Sequence, residues 1–112
     1  MKKLSVILFM VLSNSVLAES YSVTSEITGI TLGPDLVRVY VKDTSGGFES
    51  CTDRAKKVAY VLNPTELGGD IMTSALLAAK VSGQKVRFQS QGCHYGYSKI
   101  THVYFCDTDT CM

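Results

Sequence analysis

The chain has 112 residues, a formal net charge of +1, four cysteines, six tyrosines and no tryptophan. That length supports one domain, and the near-balanced charge leaves no basic stripe for neutralising phosphates, which argues against nucleic acid as a partner. A domain this small buries about two thirds of its unfolded surface, so its own core leaves a thin stability margin.

Met1 is followed by Lys2 and Lys3, an apolar run from Leu4 to Leu12, a polar break at Ser13, Asn14 and Ser15, and then Val16-Leu17-Ala18. This is the pattern of a secretory signal peptide over residues 1–18, with an apolar run too short to span a bilayer. A single domain over 19–112 is expected after cleavage, soluble, without a membrane span, and secreted or periplasmic. Loss of Lys2 and Lys3 turns its net charge slightly negative, which strengthens the case against nucleic acid.

Val23 to Thr31 reads as a strand, with Val23, Ser25 and Ile27 on one face and Thr24, Glu26 and Thr28 on the other. Gly33-Pro34-Asp35 is a turn signal. Leu36 to Lys42 alternates, Val37, Val39 and Val41 pointing one way and Arg38, Tyr40 and Lys42 the other, so the two segments predict a hairpin. After the break at Asp43–Gly47, Phe48 to Thr52 reads as a short third strand carrying Cys51. Ala55 to Leu62 leans to strand, through Val58, Tyr60 and Leu62, before an irregular stretch around Asn63-Pro64-Thr65 and Gly68-Gly69.

A helix is predicted over Ile71–Val81, with Asp70 as its N-cap, Lys80 near its C-terminus and Gly83 as its stop. Ile71, Ala75, Ala78, Ala79 and Ser82 form one stripe, with Met72 and Leu76 beside it. Apolar residues spread over this much of the circumference predict cover on more than one side, a sheet on one and a partner subunit on the other. Gln84 to Ser90 returns to period two with Val86 and Phe88 inward, Gln91 to Tyr97 reads as a loop, and Ser98 to Cys106 as the last strand. The fold class expected is mainly β with one helix (α+β), as a small OB-fold-like barrel of five to six strands.

The cysteines all lie after residue 18, and an even count in an oxidising compartment predicts two disulfides. Cys106 and Cys111 flank a polar segment, 107–110, able to turn back on itself; pairing them leaves Cys51 with Cys93. Zinc held by Cys93, His94, His102, Cys106 and Cys111 is the rival reading. No Cys-x-x-Cys knuckle supports it, so neither metal nor cofactor is expected.

No nucleophile elbow, phosphate-cradling glycine loop or metalloprotease helix motif occurs, and the acidic residues are scattered. His94 and His102 are the two histidines. The expectation is therefore no catalytic residues and no enzyme, with a hydrolase acting through either histidine as the weakest reading. Tyrosine is the suggestive residue type, because its ring stacks on the apolar face of a sugar while its hydroxyl hydrogen-bonds. Tyr95 and Tyr97 sit in a glycine-bearing segment, where binding residues collect.

The run from Ser74 to Phe88, with its helix, Gly83-Gln84 turn and Val86-Arg87 strand, resembles the B subunits of subtilase cytotoxin and typhoid toxin. The start at Glu19 after Ala18, Tyr21-Ser22 close behind, the closing Cys106–Cys111 pair and the place of Cys51 agree with that resemblance. It implies an OB-fold protomer, a homopentameric ring, a possible enzymatic A subunit, and a sialylated glycan or glycoprotein receptor contacted near the N-terminal strand, where Ser22 and Tyr21 are the nearest matches. The chain departs from that family in being shorter and in lacking its first cysteine, with Cys93 in the partner's place. Glycan contact is thus expected at Tyr21, Ser22, Tyr95 and Tyr97. The runner-up is a protein-interaction or inhibitor module with the same fold and no glycan binding.

Overall fold

The computed structural model describes residues 19–51 and 59–108. The expected signal peptide lies outside them, as do Thr52, residues 55–58 of the fourth predicted strand, and Cys111, so the expected Cys106–Cys111 bridge ends on a residue that is not described. Among the described residues the fold is mainly β with one helix. Its elements are β1 (Ser20–Tyr21), β2 (Ile27–Leu32), β3 (Val37–Val41), β4 (Tyr60–Leu62), α1 (Gly69–Ser82), β5 (Val86–His94) and β6 (Tyr97–Phe105). The strands form one sheet in the order β1-β5-β6-β4-β3-β2, antiparallel except where β4 runs parallel to β6.

The alternation predicted for β3 is what orients the sheet. Val37, Val39 and Val41 are buried, and with Tyr60, Leu62, Val86, Phe88 and Ile100 they make the core that Leu76 and Ala79 of α1 close. The predicted hairpin of β2 and β3 is present, its turn closed by the Gly33 N–H donating to the Leu36 carbonyl at 2.8 Å.

The N-terminal segment departs from a single strand. β1 pairs with β5, and Ser22 and Ser25 continue along β5 through backbone bonds of 2.9 Å to Phe88 and Val86. From Glu26 onward the chain turns to β3 instead, beginning with the Lys42 N–H on the Glu26 carbonyl at 3.0 Å. Two inward serines manage this change of partner: the Ser22 hydroxyl accepts the Phe88 N–H at 2.8 Å, and the Ser25 hydroxyl accepts the Asp43 N–H at 2.9 Å. Between β1 and β2 the chain keeps one isolated bridge to β5, Ser25–Val86, and among the described residues the sheet is not closed into a barrel by continuous pairing.

Three further expectations are corrected. Phe48 to Cys51 is not a strand: Phe48 stacks on Tyr60 at 4.4 Å, and the Glu49 N–H goes to the Ser98 hydroxyl at 2.7 Å, so side chains rather than a ladder hold this segment. Asp70 is not the N-cap. The helix starts at Gly69, capped by Gly68, because Gly69 packs so tightly on the Asn63-Pro64 backbone that a Cβ there would meet the Asn63 oxygen at 2.4 Å. Asp70 sits in the first turn, where its carboxylate still opposes the positive end of the helix. Finally, residues 91–94 are not a loop but the end of β5, bent by register shifts on either side of Ser90.

Lys80 and Gly83 occupy the predicted end of the helix, the Gly83 N–H reaching the Ala79 carbonyl. On the side of α1 away from the sheet, Ile71, Leu77 and Val81 remain exposed, so this chain alone covers one side of it. No helix among the described residues is long and apolar enough to cross a membrane.

Candidate functional site

β5 and β6 are joined by a two-residue turn, Tyr95-Gly96, with His94 paired to Tyr97. Both central residues have positive φ, 54° at Tyr95 and 82° at Gly96, as a type I′ hairpin turn demands. Asn, Asp or Gly normally fills the first of these positions, and a tyrosine there costs on the order of 1 kcal/mol. The residue is 56% exposed, so burial does little to offset that cost.

The topology brings this hairpin against the β2–β3 turn. The Tyr95 hydroxyl donates to the Asp35 carboxylate, and His94 Nε2 lies 2.8 Å from the Asp35 carbonyl oxygen, which makes that nitrogen the protonated one. The rings of His94 and Tyr95 meet edge to face at 4.7 Å. Accepted by Asp35, the Tyr95 hydroxyl proton is held more tightly than in free tyrosine, first through that hydrogen bond and then through the carboxylate charge.

Arg38 makes a second pair at the same end of the hairpin, with Tyr97. Pairing of Arg38 with Val61, and of Val61 with Lys99, puts Arg38 on the outer face of the sheet, the face that Tyr97 shares two residues before Lys99. Its guanidinium donates to the Tyr97 hydroxyl at 3.3 Å and sits 5.9 Å from the centre of that ring. The hydrogen bond to Tyr97, with Tyr40 nearby, keeps Arg38 firmly charged.

The four residues expected to contact a glycan therefore divide into two places. Tyr95 and Tyr97 join Asp35, Arg38 and His94 at the loop end. Tyr21 and Ser22 lie on the N-terminal segment beside Phe88 and Gln89, about five β residues from His94 and so on the order of 15 Å away. Ser22 is buried with its hydroxyl engaged by Phe88. Tyr21 is half-buried under the Arg87 guanidinium, 5.0 Å from its ring centre, and Arg87 also donates to the Ser22 carbonyl at 3.0 Å. Around them on the outer face, Gln89 links the Glu19 carboxylate, at 2.8 and 2.9 Å, to the Tyr104 hydroxyl at 3.0 Å.

Asp35 and Arg38 were not singled out by sequence, where the first is a turn residue and the second one of several outward strand residues. Their contacts to Tyr95, His94 and Tyr97 come from segments meeting across the sheet, and no local pattern encodes that. Of the histidines, His94 is tied to the backbone of Asp35, and His102 is exposed, with Nδ1 at 3.1 Å from the Thr101 hydroxyl. Cys51 and Cys93 form the expected disulfide, their Cα atoms 5.9 Å apart, anchoring β5 one residue before His94. Among the described residues no three His, Cys, Asp or Glu side chains gather as a metal site.

Compared with known proteins, the chain matches no family model, and no curated protein is significantly similar to it.

Proposed function

We propose that this is an exported, non-enzymatic binding protein that recognises cell-surface glycans, sialylated ones foremost, as a homo-oligomer in the manner of the toxin B subunits it resembles. The observation that carries the reading is Tyr95, an exposed aromatic ring held in a left-handed conformation at a tight turn, with Asp35 on its hydroxyl. Backbone strain held at an exposed residue points to a working one. A ring face, a carboxylate and a guanidinium near one end of the sheet are the kinds of group that hold a sugar.

The strand order supports an OB-like reading of the domain. The N-terminal segment reaches both β3 and β5, and β4 runs parallel to β6; on that reading the β2–β3 and β5–β6 turns correspond to the loops with which such domains bind ligands. Tyr21 and Ser22 remain a second contact area by resemblance, with Tyr21 the accessible member.

Exposed Ile71, Leu77 and Val81 on α1, and a groove of about 350 Å³ lined by Ala75, Ala78, Ala79, Ser82, Gln84 and Phe105, support association with further copies. The same apolar face favours the second reading, a protein-interaction module without sugar recognition. A glycan array separates the two. The purified protein is expected to bind sialylated glycans and Tyr95→Asn to lose them, while the solution mass reports a pentamer. A blank array with one stable protein partner would replace the first reading by the second.

A further inference from the structure

We infer that Arg38 is the residue by which the loop-end site reads a carboxylate, so that the sugar seated there is an acidic one, a sialic or a uronic acid. This rests on the reading of that cluster as a glycan site and adds to it a specificity-determining residue.

Arg38 differs from the other cations whose contacts are described. Lys99 is paired with Glu66 at 3.0 Å, and Arg87 is held against Tyr21 and Ser22. Arg38 has no carboxylate partner among the described residues, and the acid nearest in its own turn, Asp35, takes the Tyr95 hydroxyl instead. Its Nε is buried and without a hydrogen-bond partner. The inner edge of the fork is therefore sealed off from water and from any ligand, leaving the two terminal nitrogens to meet an incoming group. A guanidinium with one N–H out of water and unpartnered has a charge-assisted hydrogen bond to a carboxylate as its strongest available gain at the other two nitrogens.

Tyr97 fixes the direction of the fork, through its hydroxyl and its ring. A guanidinium held this way loses less side-chain freedom on binding than a free arginine. Asp35, three residues ahead of Arg38 in the chain, supplies the rest of the selection: its negative charge disfavours a multiply charged phosphate, while its oxygens accept sugar hydroxyls. One carboxylate for Arg38, hydroxyls for Asp35 and a ring face for Tyr95 describe an acidic monosaccharide.

The test is a nuclear magnetic resonance titration of the folded, disulfide-bonded protein with four probes: N-acetylneuraminic acid, its methyl ester, glucuronic acid and inorganic phosphate. At least one free acid is expected to shift the Arg38 and Tyr97 signals, binding at least about tenfold more tightly than the ester, the ratio that one lost charge-assisted hydrogen bond produces. Phosphate is expected to leave those signals in place. Which acid is active identifies the sugar. Arg38→Gln should remove the acid-over-ester preference and Arg38→Lys restore part of it; the acid–ester comparison on the unaltered chain stands even if a variant fails to fold. Equal binding of acid and ester, equal binding of phosphate, or no shift at Arg38 with either acid overturns the inference. If an array is positive and Arg38→Gln binds it unchanged, the inference falls and the glycan reading survives. If the array is blank while a free acid shifts Arg38, the inference survives and the cell-surface reading falls.

Discussion

A buried hydroxyl that accepts a backbone N–H is costly to delete, because the donor is left unpaired away from water. Ser22 is such a residue, with its Oγ on the Phe88 N–H at 2.8 Å. Ser22→Ala is therefore expected to lower stability by about 1–3 kcal/mol in chemical denaturation, whatever its effect on ligand. A loss of glycan binding in that variant reports on the sugar only after the fold has been checked, whereas Tyr95 and Arg38 lie at the surface and give cleaner readouts. Tyr60 makes a different prediction. Its ring is fully buried between Phe48 and Phe88, and its hydroxyl donates to the Gly47 carbonyl at 2.8 Å. Burial first, and the Asp43 charge second, raise its pKa well above the ordinary 10.0. A tyrosine whose folded pKa is raised contributes stability below its unfolded pKa and loses it as pH climbs through the folded one. Stability should thus decline from about pH 10 upward, with one tyrosine ionising only as the protein unfolds. Tyr60→Phe should flatten that decline while costing about 1–3 kcal/mol at neutral pH, since it orphans the Gly47 carbonyl. A stability profile unaltered by the substitution above pH 10 would show that another group governs alkaline unfolding.

At the scale of elements, what could be read from sequence was what local periodicity encodes. The alternation of Val37, Val39 and Val41 identified β3 and its inward face, and Gly83 with Lys80 marked the end of α1. Elements set by tertiary contact were not legible. The helix begins at Gly69 rather than after Asp70 because of a close approach to Asn63 and Pro64, and the β1–β2 segment breaks where Ser22 and Ser25 take over backbone bonds. Tyr95 and Tyr97 stand out in the sequence as aromatics beside glycine, while the contacts of Asp35 and Arg38 needed the sheet to bring distant segments together. The segment after β3 gives a prediction of the same kind. Gly46 lies against the N-terminal strand so closely that a Cβ would meet the Val23 nitrogen at 2.5 Å and the Ser22 Cα at 2.8 Å. Those are backbone atoms, so neither can swing aside. Gly46→Ala should force the two segments apart at a cost of about 1–3 kcal/mol. Faster amide hydrogen exchange at Ser22 and Ser25 would locate the damage; protection equal to that of the unaltered protein would mean the segment does not clamp this strand.

For the molecule as a whole, the N-terminal strand, the segment carrying Glu49 and the bent end of β5 depend on one another. Glu49 is buried, receives the Ser20 hydroxyl and accepts the Gly92 N–H at 2.9 Å, so one carboxylate joins all three. The Cys51–Cys93 bridge secures the same junction covalently across a sequence separation of 42 residues. Closing a loop of that length removes enough freedom from the unfolded chain to be worth about 4 kcal/mol in the chain-entropy picture. Small domains have a total stability of only about 5–15 kcal/mol. The double variant Cys51→Ser, Cys93→Ser should therefore shift the denaturation midpoint far down and sit close to unfolded at physiological temperature. The bridge also fixes β5 one residue ahead of His94, so the β5–β6 hairpin should loosen before the rest of the sheet. Under mild conditions, where the variant is still folded, binding to the loop-end site should weaken more than the far-ultraviolet signature of the sheet changes. If binding and sheet content instead fall together at one midpoint, the bridge stabilises the whole domain without any separate hold on the hairpin.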